Sequence, residues 1–209
     1  MDKSIVDFSS EENKINKLKL NNSYIKKNMT DKNEYVNNQI VDFMKKLYLD
    51  NEGDITINFS DKTNLKVISY IIKKKSKVFH NMFNNEMMEN INKTIDMTIY
   101  DPMVIRKFFE YLYYNEEYNG NDIDIYFELL YLSEQYDQKD YFVYIKNKII
   151  KLINNITINI ILNKCTEYGE ICDEIYEKGI AYVCESSLNC YDIMSDDPYA
   201  WCCKHYVKK

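Results

Sequence analysis

Apolar and polar positions change their period along the chain, and the changes predict the order of the elements. Between residues 34 and 50, apolar side chains recur every three or four positions, as on one face of a helix. This stripe comprises Val36, Ile40, Phe43, Met44 and Leu47. Residues 54–59 and 95–99 instead alternate one by one, which is typical of half-buried strands. Residues 65–67 follow a turn-forming segment and are predicted to return as an antiparallel partner of the first strand.

Helical spacing resumes at Ile68, and Ser76 is predicted to divide the stripe into two short helices. Residues 84–92 are predicted to be irregular. Asp101 and Pro102 form a strong helix start, because Asp accepts from free N–H groups and Pro fits the first helical position. Further helices are predicted over 123–136, 140–153, 158–165 and 171–183. The pattern therefore predicts an α+β fold, with a small three-stranded sheet covered by helices and an all-helical C-terminal extension.

Composition narrows the class of protein. The 209 residues are 45% hydrophobic with only 4 glycines and 2 prolines, which supports a real core and few long loops. The net charge of −6 is spread along the chain. The three consecutive lysines at 73–75 are interpreted as a solvated face of a helix. Nucleic-acid binding is therefore not expected. No apolar run is long enough for a membrane span and no signal core is present. The chain is therefore predicted to stay in a reducing compartment with its cysteines as thiols.

Conventional catalysis finds little support in the sequence. The chain has two histidines, and Asp122 and Asp124 stand at a helix start, where acidic side chains favour the helix dipole. No cysteines form the Cys-x-x-Cys knuckle of a structural zinc site, so we predict no cofactor and no metal. Cys165 and Cys172 are seven positions apart and are interpreted as packing positions of helices. The groups left to gather around a metal, in a metal- or redox-dependent alternative, are Cys184, Cys190, Cys202, Cys203 and His205.

The chain from about Val36 to Ile153 resembles the BTB/POZ family. The resemblance rests on the strand start Asp54-Ile55, on a helix with Ser76, Phe79, Met82 and Phe83, and on an Asp-led helix ending in Tyr111-Leu112-Tyr113. It implies a BTB/POZ-like domain at 33–153, preceded by a mobile polar arm at 1–32. Residues 154–209 resemble a truncated BACK-like helical region with a cysteine-rich tail. The many Tyr, Asn, Ile and Lys residues indicate AT-rich coding DNA, and this composition is similar to that of BTB proteins of large DNA viruses.

The resemblance also implies partners. Many family members bridge a cullin scaffold of a ubiquitin ligase to a substrate, and those that bind cullin often carry an aliphatic-x-Glu motif before the third strand. Met87 and Glu89 stand at that place, and Tyr113 matches an aromatic position of the cullin face. The alternative is that Met87 and Met88 are ordinary loop residues that cover the core.

Dimerisation is a second implication, because the first helix of family members packs across a twofold axis. Ile40, Phe43, Met44 and Leu47 would form that self-complementary patch, with Asp54 beside it. The alternative is that this helix packs on its own domain. Relatives often carry a basic residue that pairs with the strand Asp, whereas this chain has Ile68 and Ser69 there, so Asp54 is expected to lack its basic partner.

The hypothesis from sequence is a non-enzymatic adaptor that forms a homodimer and links a cullin-family scaffold to an unknown protein target in the cytoplasm, or in the host cytoplasm if the protein is viral. One alternative is a homotypic or decoy dimerisation module that recruits no ligase. A second is a metal- or redox-dependent factor that uses the C-terminal cysteines.

Overall fold

The computed structural model describes residues 36–84 and 87–186. Of these, residues 36–47 and residues 48–186 fall into separate compact units and are described in turn. The first unit holds most of helix α1, residues 36–49, which confirms the helix predicted from the apolar stripe. The predicted polar arm at 1–32 lies outside the described residues.

A three-stranded sheet begins the second unit, as predicted. Its strands are β1 (Ile55–Asn58), β2 (Asn64–Val67) and β3 (Thr94–Asp96), in the order β2-β1-β3. β1 pairs antiparallel with β2 and parallel with β3. Because side chains alternate across each strand, Ile55 and Ile57 point into the core and are fully buried.

The third strand ends three residues earlier than the alternation predicted. The Asp96 carboxylate accepts a hydrogen bond from the Thr98 amide at 3.0 Å, which turns the chain out of the sheet. Met97 remains buried, but Ile99 is exposed beyond the turn. The prediction of a strand to Ile99 is therefore wrong at its C-terminal end.

Ser76 separates α2 (Ser69–Lys75) from α3 (Lys77–Asn84), which confirms the predicted break. The backbone at Ser76 is extended, and its side chain is buried. Its Oγ donates to the carbonyl of Tyr136 at 2.8 Å and accepts from the Phe79 amide at 3.2 Å. One hydroxyl thus begins α3 and ties it to a distant part of the chain.

The segment predicted to be irregular, 84–92, contains a short helix, α4 (Met88–Asn92). The carbonyl of Met87 accepts from the amides of Asn90 and Ile91 at 3.1 and 3.2 Å. Lys93 then takes a left-handed conformation and ends the helix. The prediction failed here because a single turn is too short to show a period.

Two of the long helices begin where the sequence predicted Asp caps. The bounds are α5 (Pro102–Tyr114), α6 (Ile123–Gln135) and α7 (Lys139–Lys151). Asp101 accepts from the Met103 amide at 2.7 Å, and Asp122 accepts from the Asp124 amide at 2.9 Å. Both predicted starts are therefore confirmed.

The helical extension consists of α8 (Ile158–Tyr168), a 3₁₀ turn (Gly169–Cys172) and α9 (Asp173–Glu185). A buried cluster formed by Ile158, Leu162, Ile180 and Val183 joins α8 to α9. The rings of Phe127 and Tyr168 lie 5.5 Å apart, so α8 packs against α6. The predicted fold class, a small sheet with helices and a helical extension, is confirmed. Within the two described ranges, no helix is long and apolar enough to cross a membrane.

Candidate interaction surfaces

An exposed apolar surface lies at and beside α4. Met87, Met88 and Ile91 are exposed to 42%, 65% and 65%, and we call these three residues the Met87 patch. Residues three and four positions apart lie on one face of a helix, so Ile91 adjoins both methionines. Glu89 is half-buried next to the patch. Met87 is thus exposed, as the predicted contact requires, and Ile91 joins it on the same surface. The sequence analysis missed Ile91, and the signal that could have found it is its place four positions after Met87.

Tyr113 does not share this surface. It is only 2% exposed, and its hydroxyl accepts from the Ile68 amide at 2.6 Å. Its ring packs 5.4 Å from that of Tyr48, and burial raises the pKa of the Tyr113 phenol to about 12. A neutral, buried ring builds the core, so the prediction that Tyr113 contacts a partner directly does not fit its position.

The predicted dimer helix carries an exposed apolar face. Ile40 and Phe43 are 55% and 60% exposed, and Met44 and Leu47 are half-buried. Large apolar side chains that adjoin one another on a surface are typical of protein interaction sites.

Asp54 finds its partner within the chain. Its carboxylate oxygens accept from the Ser69 amide at 2.7 Å and from the Ser69 hydroxyl at 2.6 Å. Burial acts to raise the pKa of Asp54, but the Ser69 hydrogen bonds outweigh it and lower the pKa from its ordinary value. Ser69 therefore occupies the place where the family resemblance implies a basic residue, and it holds the carboxylate at the start of α2.

Replacing Asp54 with alanine should lower the free energy of unfolding at neutral pH by about 1 kcal/mol, the usual cost of losing a helix-capping side chain. Because the folded-state pKa is depressed, this contribution is present above the unfolded pKa of about 3.9 and is lost as the pH falls through the folded pKa. Urea unfolding of the wild type and of Asp54→Ala, at a series of pH values from about 7 to about 3, measures this contribution. A gap that widens on acidification would contradict this account.

The described cysteines are packing residues or isolated thiols. Cys165 and Cys172 are buried and free, and their thiols are hydrogen-bonded to each other. That hydrogen bond and burial raise the pKa of Cys165. Across 36–84 and 87–186 no three potential metal ligands come together. The remaining ligands named for the metal alternative, Cys190, Cys202, Cys203 and His205, lie outside the described residues.

Solved structures include domains to which this chain is similar. The chain is similar to the BTB domain of zebrafish PATZ1 at 12% identity, with a TM-score of 0.44, covering 53% of this chain and 88% of that one. It is also similar to the BTB (Tramtrack and Bric a brac) domain of human Gigaxonin at 15% identity, with a TM-score of 0.40, covering 50% and 86%. No curated protein matches the chain.

The sequence itself supplies the stronger match. The family model described as "BTB/POZ domain" matches residues 44–151, just over half of the 209 residues. BTB domains are in general non-enzymatic interaction modules that commonly dimerise and bind other proteins. Since the match runs from within α1 to the end of α7 and takes in the whole sheet, the chain belongs to the BTB/POZ domain family.

Proposed function

We propose that this protein is an adaptor that links a cullin-type scaffold of a ubiquitin ligase to a target protein. The observation that carries the proposal is the exposure of the Met87 patch immediately before β3. The aliphatic-x-Glu motif that the family resemblance associates with cullin binding falls on Met87 and Glu89. Tyr113, being buried, supports the core in this proposal and is not part of the contact surface.

The chemistry of the patch suits a docking role. A methionine side chain is unbranched and polarisable, so it adapts to the shape of an apolar cleft. Burying one such side chain against a partner stabilises a complex by about 1.5–3 kcal/mol. Glu89 lies at the edge of the patch and carries a charge that a partner's cation or amide can meet.

Met87→Ala should weaken binding of a cullin N-terminal domain by about 2 kcal/mol, or about 30-fold in Kd, because it removes an interface anchor. Isothermal titration calorimetry with the purified proteins measures the change. Met103→Ala is the matched control, because Met103 is similarly exposed (52%) but lies on α5, outside the patch. Unchanged cullin affinity in both Met87→Ala and Glu89→Ala, or no binding by the wild type, would reject the adaptor mechanism.

The exposed face of α1 favours a homodimer, and it also supports the alternative of a homotypic or decoy module. Phe43→Glu places a charge in the middle of this face and should raise the dimer dissociation constant by at least about tenfold, because an unpaired charge is costly to bury. Sedimentation velocity across a concentration series measures it. Asp42→Ala is the control, since Asp42 is an exposed neighbour on the same helix. A wild-type monomer at all concentrations would contradict the dimer.

Cullin binding distinguishes the adaptor from the homotypic or decoy module. A decoy module dimerises but fails to retain the cullin domain, whereas an adaptor does both. In the adaptor proposal, the target contacts the 154–209 region or the 1–32 arm, and the complex works in the cytoplasm, or in the host cytoplasm if the protein is viral.

A further inference from the structure

A concave pocket of about 450 Å³ lies where the BTB core meets the helical extension. Its walls come from the β3–α5 loop, from α6 and from α8. The residues that line it are Ile99, Tyr100, Glu128, Tyr131, Glu167 and Tyr168. The pocket is distinct from the Met87 patch and from the exposed face of α1.

Three tyrosine rings form one side of this pocket. The centroid of Tyr131 lies 6.4 Å from that of Tyr100 and 6.1 Å from that of Tyr168, with interplanar angles of 41° and 66°. The Tyr100 hydroxyl donates to Gln135 at 2.5 Å, which fixes its ring. Tyr131 is 43% exposed, so solvent and ligands reach the rings. The electron-rich faces of such rings attract cations that come within about 6 Å of a centroid.

A carboxylate without an ion-pair partner lies beside the rings. In the part of the chain that the structure describes, no cationic nitrogen lies within 4.0 Å of Glu128, and its one hydrogen bond is from the Asp101 amide at 3.3 Å. Lys164, the nearby cation, lies 2.8 Å from Asp124 and 3.5 Å from Glu167. Burial raises the pKa of Glu128, and it outweighs the Asp101 amide hydrogen bond and the Lys164 charge, which act to lower that pKa.

We propose that this pocket receives an arginine side chain of a partner polypeptide, stacked on Tyr131 and paired with Glu128. A guanidinium group is planar and weakly hydrated, so it can lie on an aromatic face while its N–H groups meet a carboxylate in a bidentate pair. A lysine ammonium lacks the planar fork. The exposed Ile99 at the rim provides an apolar contact for the residues that flank the arginine. This proposal does not rest on cullin docking.

The test is an NMR titration of the full-length protein, with labelled tyrosine rings, using capped Gly-Gly-Arg-Gly-Gly and its lysine and citrulline analogues. The arginine peptide should shift the ring signals of Tyr100, Tyr131 and Tyr168 and should saturate in the millimolar range expected for a single anchored side chain. The citrulline peptide has the same shape without the charge and should leave the signals in place. Equal shifts with citrulline would overturn the proposal, and equal affinity for lysine would overturn the choice of arginine.

Two variants and a control locate the site. Glu128→Gln keeps the shape of the side chain and should weaken arginine binding at least about fivefold, since it removes a charge-assisted pair. Tyr131→Leu removes an exposed ring and should weaken binding of the arginine peptide as well. Glu134→Gln removes an exposed carboxylate of the same helix, outside the pocket, and should bind as the wild type does. Wild-type affinity in both pocket variants, or no shift in the wild-type protein, would overturn the proposal.

Discussion

Replacing Phe108 with alanine is expected to lower the free energy of unfolding by about 3–5 kcal/mol, the range found when a buried aromatic ring is deleted from a core. Phe108 is fully buried on α5. Its ring packs edge-on against Phe109 at 5.8 Å, and it packs against the ring of Tyr136 at 5.6 Å with a tilt of 46°. Tyr136 in turn stacks on Phe79 of α3 at 4.5 Å. The cavity left by alanine would therefore open between three segments that are far apart in the sequence.

Urea denaturation followed by circular dichroism measures this loss, and the midpoint should move to lower denaturant with little change in slope. Met103→Ala on the same helix is the control, because its exposed side chain should change the free energy of unfolding by no more than about 0.5 kcal/mol. A loss below about 1 kcal/mol for Phe108→Ala would mean that the surrounding rings collapse into the space or that this packing is absent.

The parts of the fold that the sequence predicted are those with a local cause. The paired strands β1 and β2 follow from one-by-one alternation, and the long helices follow from apolar spacing with Asp caps. The break at Ser76 was also predictable. What no local pattern shows is that its hydroxyl reaches the Tyr136 carbonyl, 60 positions away.

Two parts of the fold were missed because they depend on short-range hydrogen bonds that the apolar pattern does not show. The short helix α4 closes on the carbonyl of Met87, and β3 ends early because Asp96 captures the Thr98 amide. Asp96 lies within an alternating apolar and polar pattern, so the pattern predicted that the strand continues past Asp96. The surface patch was half predicted, because Met87 stood out by its place before β3, whereas Ile91 did not.

Tyr113 shows the limit of a resemblance read from sequence. The helix end Tyr111-Leu112-Tyr113-Tyr114 offers three aromatic rings on different faces. Which face is covered depends on Tyr48, whose ring packs 5.4 Å from Tyr113 and 5.9 Å from Tyr114. The tyrosine pocket was missed for the same reason, since its rings come from positions 100, 131 and 168 and meet only when α8 packs on α6.

Gly53→Ala is expected to cost about 3 kcal/mol of unfolding free energy, at the upper end of what overpacking usually costs. The sequence marks Gly53 only as a helix breaker. In the structure, a Cβ at this position would lie 2.3 Å from the Val67 carbonyl oxygen and 2.6 Å from the Val67 amide nitrogen. These are backbone atoms at the end of β2, so they cannot rotate away as a side chain would. Thermal or urea unfolding measures the loss.

A double variant shows where the Gly53→Ala substitution disrupts the structure, apart from how much unfolding free energy it costs. Gly53 precedes Asp54, so displacement of this segment from β2 should also pull the Asp54 carboxylate away from Ser69. The double variant Gly53→Ala with Asp54→Ala should then lose less than the sum of the two single losses, because the first substitution already disrupts what the second removes. Glu52→Ala, an exposed neighbour, should change the free energy of unfolding by no more than about 0.5 kcal/mol. Wild-type stability in Gly53→Ala would show that the two segments do not approach so closely, and additive losses would show that the strain stays at β2 and leaves the Asp54–Ser69 contact intact.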